Sequence, residues 1–351
     1  MNESEQDRVP ARPRIALVGA GAIGCNVAVD LAAAGHDVTV IDQWPEQVQA
    51  LRTRGLLVTL PDGPKEFPPL DARHLGELPA LRRTFDIALL ALKVPETRWH
   101  AEFIKPYLAP EGVAVGLQNG MNDDAIAEVL GAARTIGCVV ELSAELFSPG
   151  ETRRKTPKER TWFALGELDG RITPRLGALQ SLLSCTANVA LTENIRGAKW
   201  TKLVTNAMVL APFAMLGAES YDALQDPAMF DFVRQLGREA IAVGEADGLA
   251  IEPIFGIARE EFTGGPDAIA EKLVRTLVGH IGRKSRNAVM QDHLKGRRTE
   301  TDHVNGLVVE RGRVAGIATP ANEAVTEITR MIERGEVKPA PSNFALVSRW
   351  V

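Results

Sequence analysis

Cysteine is scarce in this chain of 351 residues: Cys25, Cys138 and Cys185 are the whole set, far apart and each in apolar surroundings. An odd, unpatterned set excludes a disulfide framework and fits a reducing compartment. The six histidines form no H-x-x-x-H pair and no Cys/His group with metal spacing, so no metal site is expected. Basic charge is not in excess either. A formal net charge of −5 removes the electrostatic reason to expect nucleic acid or an anionic membrane surface as a partner. The short run "KGRR", Lys295 to Arg298, reads as a solvated helix face or helix end. Long apolar runs are missing as well: "TNAMVLAPFAMLGA" is too short for a membrane span and contains a proline. The polar opening "MNESEQDRVPARP" lacks the apolar stretch of a secretory signal and reads as a disordered tail, residues 1–13. Together these absences predict a cytoplasmic protein.

What is present is the composition of an ordinary globular protein, 45% hydrophobic and 24% charged, on a chain long enough for two domains. From 14 to 193, short apolar runs alternate with helical stretches: "RIALV", "HDVTVID", "FDIALLALK", "VAVGLQNG" and "TIGCVVELSA". Continuous apolar strands interleaved with helices predict a doubly wound parallel sheet covered on both faces. "SPGETRRKTPKER" reads as a polar loop, followed by the strand-like "TWFALGELDG". From 194 to 351 the pattern becomes helical throughout, with helices expected near 195–218, 227–248, 267–281, 285–312 and 320–334. The fold class is therefore α/β, a Rossmann-type domain followed by an all-helical one.

The first strand runs into Gly19-Ala20-Gly21-Ala22-Ile23-Gly24 and then an alanine-rich helix. A bare G-x-G-x-x-G is unspecific, but strand before and helix after is the context that a dinucleotide fingerprint requires. Gly19 permits the tight turn, Gly21 lets backbone approach a pyrophosphate, and Gly24 allows close helix–strand packing. The helix N-terminus offers unpaired N–H groups to the phosphates. Asp42 ends the second strand, 18 residues beyond Gly24, near the spacing expected of the acid that binds the ribose 2′-hydroxyl. A carboxylate there repels a 2′-phosphate, and the next basic residue, Arg52, is too far along for an easy phosphate clamp. NAD is expected over NADP.

In the helical half, "AKWTKLVTNAMVLAP" sets Lys202 among Trp200, Leu203, Val204, Met208 and Val209. An ammonium in such company must be paired, reach water, or be useful. Asn206, four residues on, shares its helix face. The pair either snorkels at a surface or faces a cleft, and domain clefts are where small-molecule sites tend to form.

Four stretches taken together decide between these. "LLALKVPET" carries Lys93, "GLQNGMNDD" carries Asn119-Gly120, and "KWTKLVTNAM" carries Lys202 and Asn206. "NAVMQDHLKGRRTETDHVNGLVVERGRVAGIATPAN" carries Gln291-Asp292, Glu300, Asn305-Gly306 and Pro320. In order and spacing the chain resembles the ketopantoate reductase family (2-dehydropantoate 2-reductases) from about residue 14 to 335. The resemblance implies that NAD(P)H and a 2-oxo acid meet between a Rossmann domain and a helical domain. It implies Lys202 as the catalytic acid, Glu300 as an organiser of the site on both the catalytic and the cofactor side, Asn119 and Asn206 on cofactor and substrate, and Lys93 near the cofactor. The chemistry agrees: hydride delivery to a ketone leaves charge on oxygen, which needs a proton or a cation beside it.

The chain also departs from that family. The usual K-x-x-x-N-x-x-x-N helix has Leu210 in its third slot, and Ser220 stands where some members carry a further asparagine. Where the family places a serine on the substrate carboxylate, this chain has Ala288 with Asn287 beside it. Leu and Ala remove hydrogen bonds that a small hydroxylated acid needs, so the substrate is expected to be bulkier or more apolar than ketopantoate. The other readings are an authentic 2-dehydropantoate 2-reductase of pantothenate biosynthesis and a non-catalytic dinucleotide sensor. The apolar helices suggest a homodimer.

Overall fold

The computed structural model describes residues 9–217, 221–253, 259–280 and 286–351. Residues 1–8 of the expected tail and Ser220 lie outside them. The chain forms two compact units, Met1–Ile195 and Arg196–Val351.

In the first unit, β1 (Arg14–Val18), α1 (Ala22–Ala33), β2 (Asp37–Asp42), α2 (Pro45–Thr53), β3 (Leu56–Leu60), β4 (Gly63–Phe67) and β5 (Asp71–His74) come first. β6 (Phe85–Leu90), α3 (Thr97–Ile104), β7 (Leu108–Leu117), α4 (Asp123–Leu130) and β8 (Thr135–Glu141) follow. Then come β9 (Ala144–Ser148), β10 (Glu151–Arg154), β11 (Trp162–Glu167), α5 (Pro174–Leu183) and β12 (Asn188–Leu191). The main sheet has the order β12-β11-β8-β7-β6-β1-β2-β5, parallel except where β11 runs against β8. Its β5-β2-β1-β6-β7-β8 portion is the 3-2-1-4-5-6 order of dinucleotide-binding sheets, whose ligands sit outside the carboxyl ends where the order reverses. That reversal is at β1, the strand that feeds the glycine turn. Ile15, Ala16 and Leu17 are completely buried, as a strand covered on both faces requires.

A second sheet, β4-β3-β10-β9, corrects one expectation. The segment read as a polar loop forms part of a hairpin, β9 and β10, and β10 pairs in parallel with β3. Its alternation is genuine but short: in β10, Thr152 and Arg154 are buried and Glu151 and Arg153 are exposed. Arg154 is buried because its guanidinium binds Asp30 of α1 at 2.7 Å and the Thr186 carbonyl at 2.9 Å. The charged composition therefore hid a strand.

The second unit contains α6 (Ile195–Val209, its first residue in the first unit), α7 (Ala211–Met215), α8 (Pro227–Ala246) and α9 (Gly265–His280). α10 (Ala288–Leu294), α11 (Asn305–Ala315) and α12 (Pro320–Glu333) complete it. Among the described residues of this unit there is no strand. Two expected helices are broken. The one near 195–218 bends at Leu210, because Pro212 has no N–H for the Met208 carbonyl and its ring crowds that carbonyl. The one near 285–312 is α10 and α11, separated by a non-helical stretch and a 3-10 turn, Thr301–His303. "KGRR" begins at the end of α10, with Lys295 as its C-cap.

Candidate active site

The nucleotide-binding half is built on the turn after β1. Gly19 has φ +101, and a Cβ there would meet the Ala91 carbonyl oxygen at 2.4 Å. A Cβ on Gly24 would meet the Gly19 carbonyl oxygen at 1.9 Å. Both glycines are thus demanded by the protein's own packing. Gly21 differs: it is exposed, and a Cβ there would meet nothing within 4 Å. The first helical bond is Cys25 N–H to Gly21 carbonyl, so the N–H groups of Ala22, Ile23 and Gly24 have no intrahelical acceptor. No side chain caps this helix. Open space above Gly21, beside uncapped N–H groups at a helix N-terminus, fits a pyrophosphate.

Asp42 adjoins the turn. One carboxylate oxygen accepts from the Ala20 N–H at 2.5 Å and the other from the Trp44 N–H at 2.7 Å. It therefore locks the turn while retaining lone pairs for ribose hydroxyls. Gln47, which has no sequence signal, supports the turn from beneath, donating to the Ala20 carbonyl at 3.1 Å and accepting from Gly150 N–H. Arg52 is committed elsewhere, to the Ala72 carbonyl and to Glu77 at 2.5 Å. Next to the turn, Cys25 is fully buried, and burial pushes its thiol up to about 12, so it is an inert packing residue.

Lys93 and Asn119 follow the ends of β6 and β7, neighbouring strands of the sheet. Asn119 exchanges two hydrogen bonds with the Val140 backbone, 2.8 and 3.0 Å, so its amide extends the pairing of β7 with β8. The sequence assigned that amide to cofactor and substrate; the fold employs it first in holding its own loop. Gln118, which precedes Asn119-Gly120, is a structural residue that the motif alone does not reveal. It is buried and donates to the Leu92 carbonyl at 2.6 Å, tying the Lys93 loop to the Asn119 loop, while Asn122 donates to it at 2.6 Å.

The second unit carries the lysine helix. Lys202 is 7% exposed on α6, and Asn206 is half-buried one turn further along the same helix. This helix is fastened by a chain of buried amides. Asn305 donates to the Ala207 carbonyl and to Asn322, each at 3.0 Å; Asn322 in turn donates to Glu239 at 2.8 Å. Glu239 also accepts the N–H groups of Ala321 and Asn322, capping α12. The N-G and T-P-A-N motifs therefore serve to hold the lysine helix against α8, α11 and α12.

Residues 297–300 are not helical. Glu300 is half-buried and occupies the N-cap position of the 3-10 turn Thr301–His303, where its side chain makes no capping hydrogen bond. Its neighbours pin it: Thr299 N–H donates to Glu333 at 2.7 Å, and Asp302 accepts from Arg298 and Arg330. Burial pushes the Asp302 carboxyl up, but those two guanidinium groups outweigh it and hold it below the usual carboxylate range.

Leu210, Asn287 and Ala288 are brought together. Asn287 is the N-cap of α10, its amide oxygen accepting the Met290 N–H at 3.0 Å. Its NH2 donates to the carbonyls of Leu210 at 2.9 Å and Val209 at 3.2 Å. Both amide hydrogens are thus spent on backbone, which leaves none for a substrate carboxylate. Leu210 and Ala288 are half-buried on either side of this staple.

Among the described residues no group of His, Cys, Asp and Glu could hold a metal ion, and no helix is long and apolar enough to cross a membrane. Comparison with known proteins agrees with the geometry. Residues 15–168 match the family described as ketopantoate reductase PanE/ApbA, and residues 194–333 match ketopantoate reductase PanE/ApbA C terminal. A 2-dehydropantoate 2-reductase from Mesorhizobium japonicum is 27% identical over 92% of this chain and 99% of its own length. The crystal structure of a PanE/ApbA family ketopantoate reductase from Ralstonia eutropha superimposes with a TM-score of 0.77 at 27% identity, covering 92% of this chain and 99% of that one. The ternary structure of D-mandelate dehydrogenase with NADH and anilino(oxo)acetate shares the fold, with a TM-score of 0.79, 20% identity and the same coverage. The chain belongs to the ketopantoate reductase family and is an oxidoreductase acting on CH–OH groups.

Proposed function

We propose that this protein is an NADH-dependent reductase of a 2-oxo acid bulkier or more apolar than ketopantoate, with Lys202 as general acid. The observation that carries the substrate reading is the Asn287 staple, which joins the start of α10, where Ala288 stands, to the backbone at Leu210 and commits its NH2 to carbonyls. An apolar wall discriminates by size and surface, whereas a site built to bind hydroxyls rejects molecules that lack them. D-mandelate dehydrogenase, whose ternary complex contains anilino(oxo)acetate, is a precedent for an aromatic acid on this fold.

A bound nicotinamide supplies or accepts the hydride. Gly21 and the N–H groups of Ala22 and Ile23 hold the pyrophosphate, and Asp42 accepts from the ribose hydroxyls. A carboxylate in that position disfavours a 2′-phosphate, and Arg52, bound to Glu77, does not compensate. Lys202 gives its proton to the carbonyl oxygen as charge develops there, Asn206 orients the same oxygen or the acid, and Glu300 positions the ammonium.

The test is a panel of aliphatic, branched and aromatic 2-oxo acids assayed with NADH and NADPH separately. Higher kcat/KM for bulky acids with NADH supports the reading. Exclusive turnover of ketopantoate returns the chain to its relatives' activity, and no turnover with intact NADH binding points to a dinucleotide sensor.

A further inference from the structure

We infer that Asn287 is a specificity-setting positioning residue, which acts on the substrate through Leu210 and Ala288 without touching it. The inference rests on the proposed reading of the pocket and deepens it. α6 would otherwise run on past Leu210, but Pro212 cannot supply the N–H that continues it. The bend leaves backbone φ −79 and ψ −70 at Leu210. Such a break is held in one geometry only if the carbonyls around it find donors. The Leu210 carbonyl accepts from the Ala214 N–H at 3.1 Å; Asn287 adds a second donor there at 2.9 Å and one to Val209 at 3.2 Å. Its oxygen meanwhile caps α10, whose first residue is Ala288. One half-buried amide therefore fixes both the direction in which Leu210 leaves its helix and the placement of Ala288.

The two tasks of this amide can be separated chemically. A serine in this place caps α10 equally well, because its hydroxyl accepts an N-cap hydrogen bond. What serine cannot do is span to two carbonyls on another helix. The amide is required by the bend, not by the cap.

The experiment compares wild type with Asn287→Ser and Asn287→Asp. Both variants retain the cap acceptor and lose the two donors to the bend. Three quantities are read: the ratio of kcat/KM for an aromatic 2-oxo acid to that for ketopantoate, the Kd for NADH, and Tm. The expected result is a fall of about tenfold or more in the ratio in both variants, the scale on which pocket shape discriminates. The NADH Kd stays within about twofold, since the glycine turn belongs to the other unit. Leu210→Asn also lowers the ratio, and combining it with Asn287→Ser is less than additive, as residues acting through one contact are. If Tm falls while the ratio stays put, or if the two effects simply add, Asn287 is only a structural cap and the inference is overturned. Wild-type preference for ketopantoate overturns the parent reading instead, and Asn287 is then judged by whether its variants move that preference. Should Asn287→Asp fail to fold, Asn287→Ser alone decides.

Discussion

Two glycines three residues apart should fail in opposite ways when given a methyl group. At Gly24 the new Cβ lies 1.9 Å from the Gly19 carbonyl oxygen and 3.0 Å from a Leu17 methyl. Ordinary carbon–oxygen contact is about 3.3 Å, so backbone must move by more than about 1 Å. The obstacle is main chain, so Gly24→Ala should reach the upper end of overpacking, about 3 kcal/mol. In a unit of this size that lowers Tm by about 6–12 °C. At Gly21 the backbone is extended, φ −72 and ψ −172, a region open to alanine, and the Cβ meets nothing. Gly21→Ala should leave Tm unchanged or raise it slightly, since it removes freedom from the unfolded chain. It places a methyl where a pyrophosphate would approach. Loss of one or two charge-assisted hydrogen bonds, about 1.5–3 kcal/mol each, weakens NADH binding by about tenfold to a hundredfold or more. Thermal melts and NADH fluorescence titrations on the two variants check this. Unchanged NADH affinity in Gly21→Ala would refute the assignment of the turn, however closely its sequence fits.

Lys202→Ala should lower kcat by about 10²–10⁴ with the NADH Kd unchanged, and equal kcat in steady-state assays would end its assignment as the acid. Arg175 and Glu167 form a bidentate pair at 2.6 and 2.7 Å, each 3% exposed, and Thr173 donates to the same carboxylate. Arg175→Met strands that carboxylate and should cost about 3–5 kcal/mol, while adding Glu167→Gln should restore much of it in denaturant unfolding. The Arg14 guanidinium, bound at 2.9 and 3.0 Å, holds the Asp86 carboxyl below the usual carboxylate range. The unfolded chain therefore takes up that proton at a higher pH than the folded one. Stability from the pair is fully present above the unfolded value, about 3.9, and is lost as pH falls through the lowered one. Asp86→Asn should flatten the acid limb of stability against pH, which melts from pH 6 down to 3 would show.

Much of the nucleotide half was legible because its signals are local. A buried parallel strand is a continuous apolar run, its turn needs glycine at defined positions, and the acid of the next strand falls at a spacing set by one helix. Lys202 and Asn206 were legible for the same reason, four residues being one turn of α6. Residues 144–154 were not. Arg154 is a strand residue only because Asp30 and Thr186, remote in sequence, offer it partners inside the fold.

The amides mark the division most clearly. Their identities and positions mark Asn119, Asn206 and Asn287 as candidate contacts, because an amide in a motif can serve a ligand, a loop or a cap. Which of these it serves depends on the backbone lying within about 3 Å. For Asn119 that backbone is Val140, and for Asn287 it is the bend at Leu210. Sequence alone determined the fold class, the glycine turn, Asp42 and the lysine helix, all consequences of short-range geometry. Tertiary structure alone decided the second sheet and the employment of each polar side chain, since a hydrogen bond is settled by whichever donor or acceptor the fold brings to it.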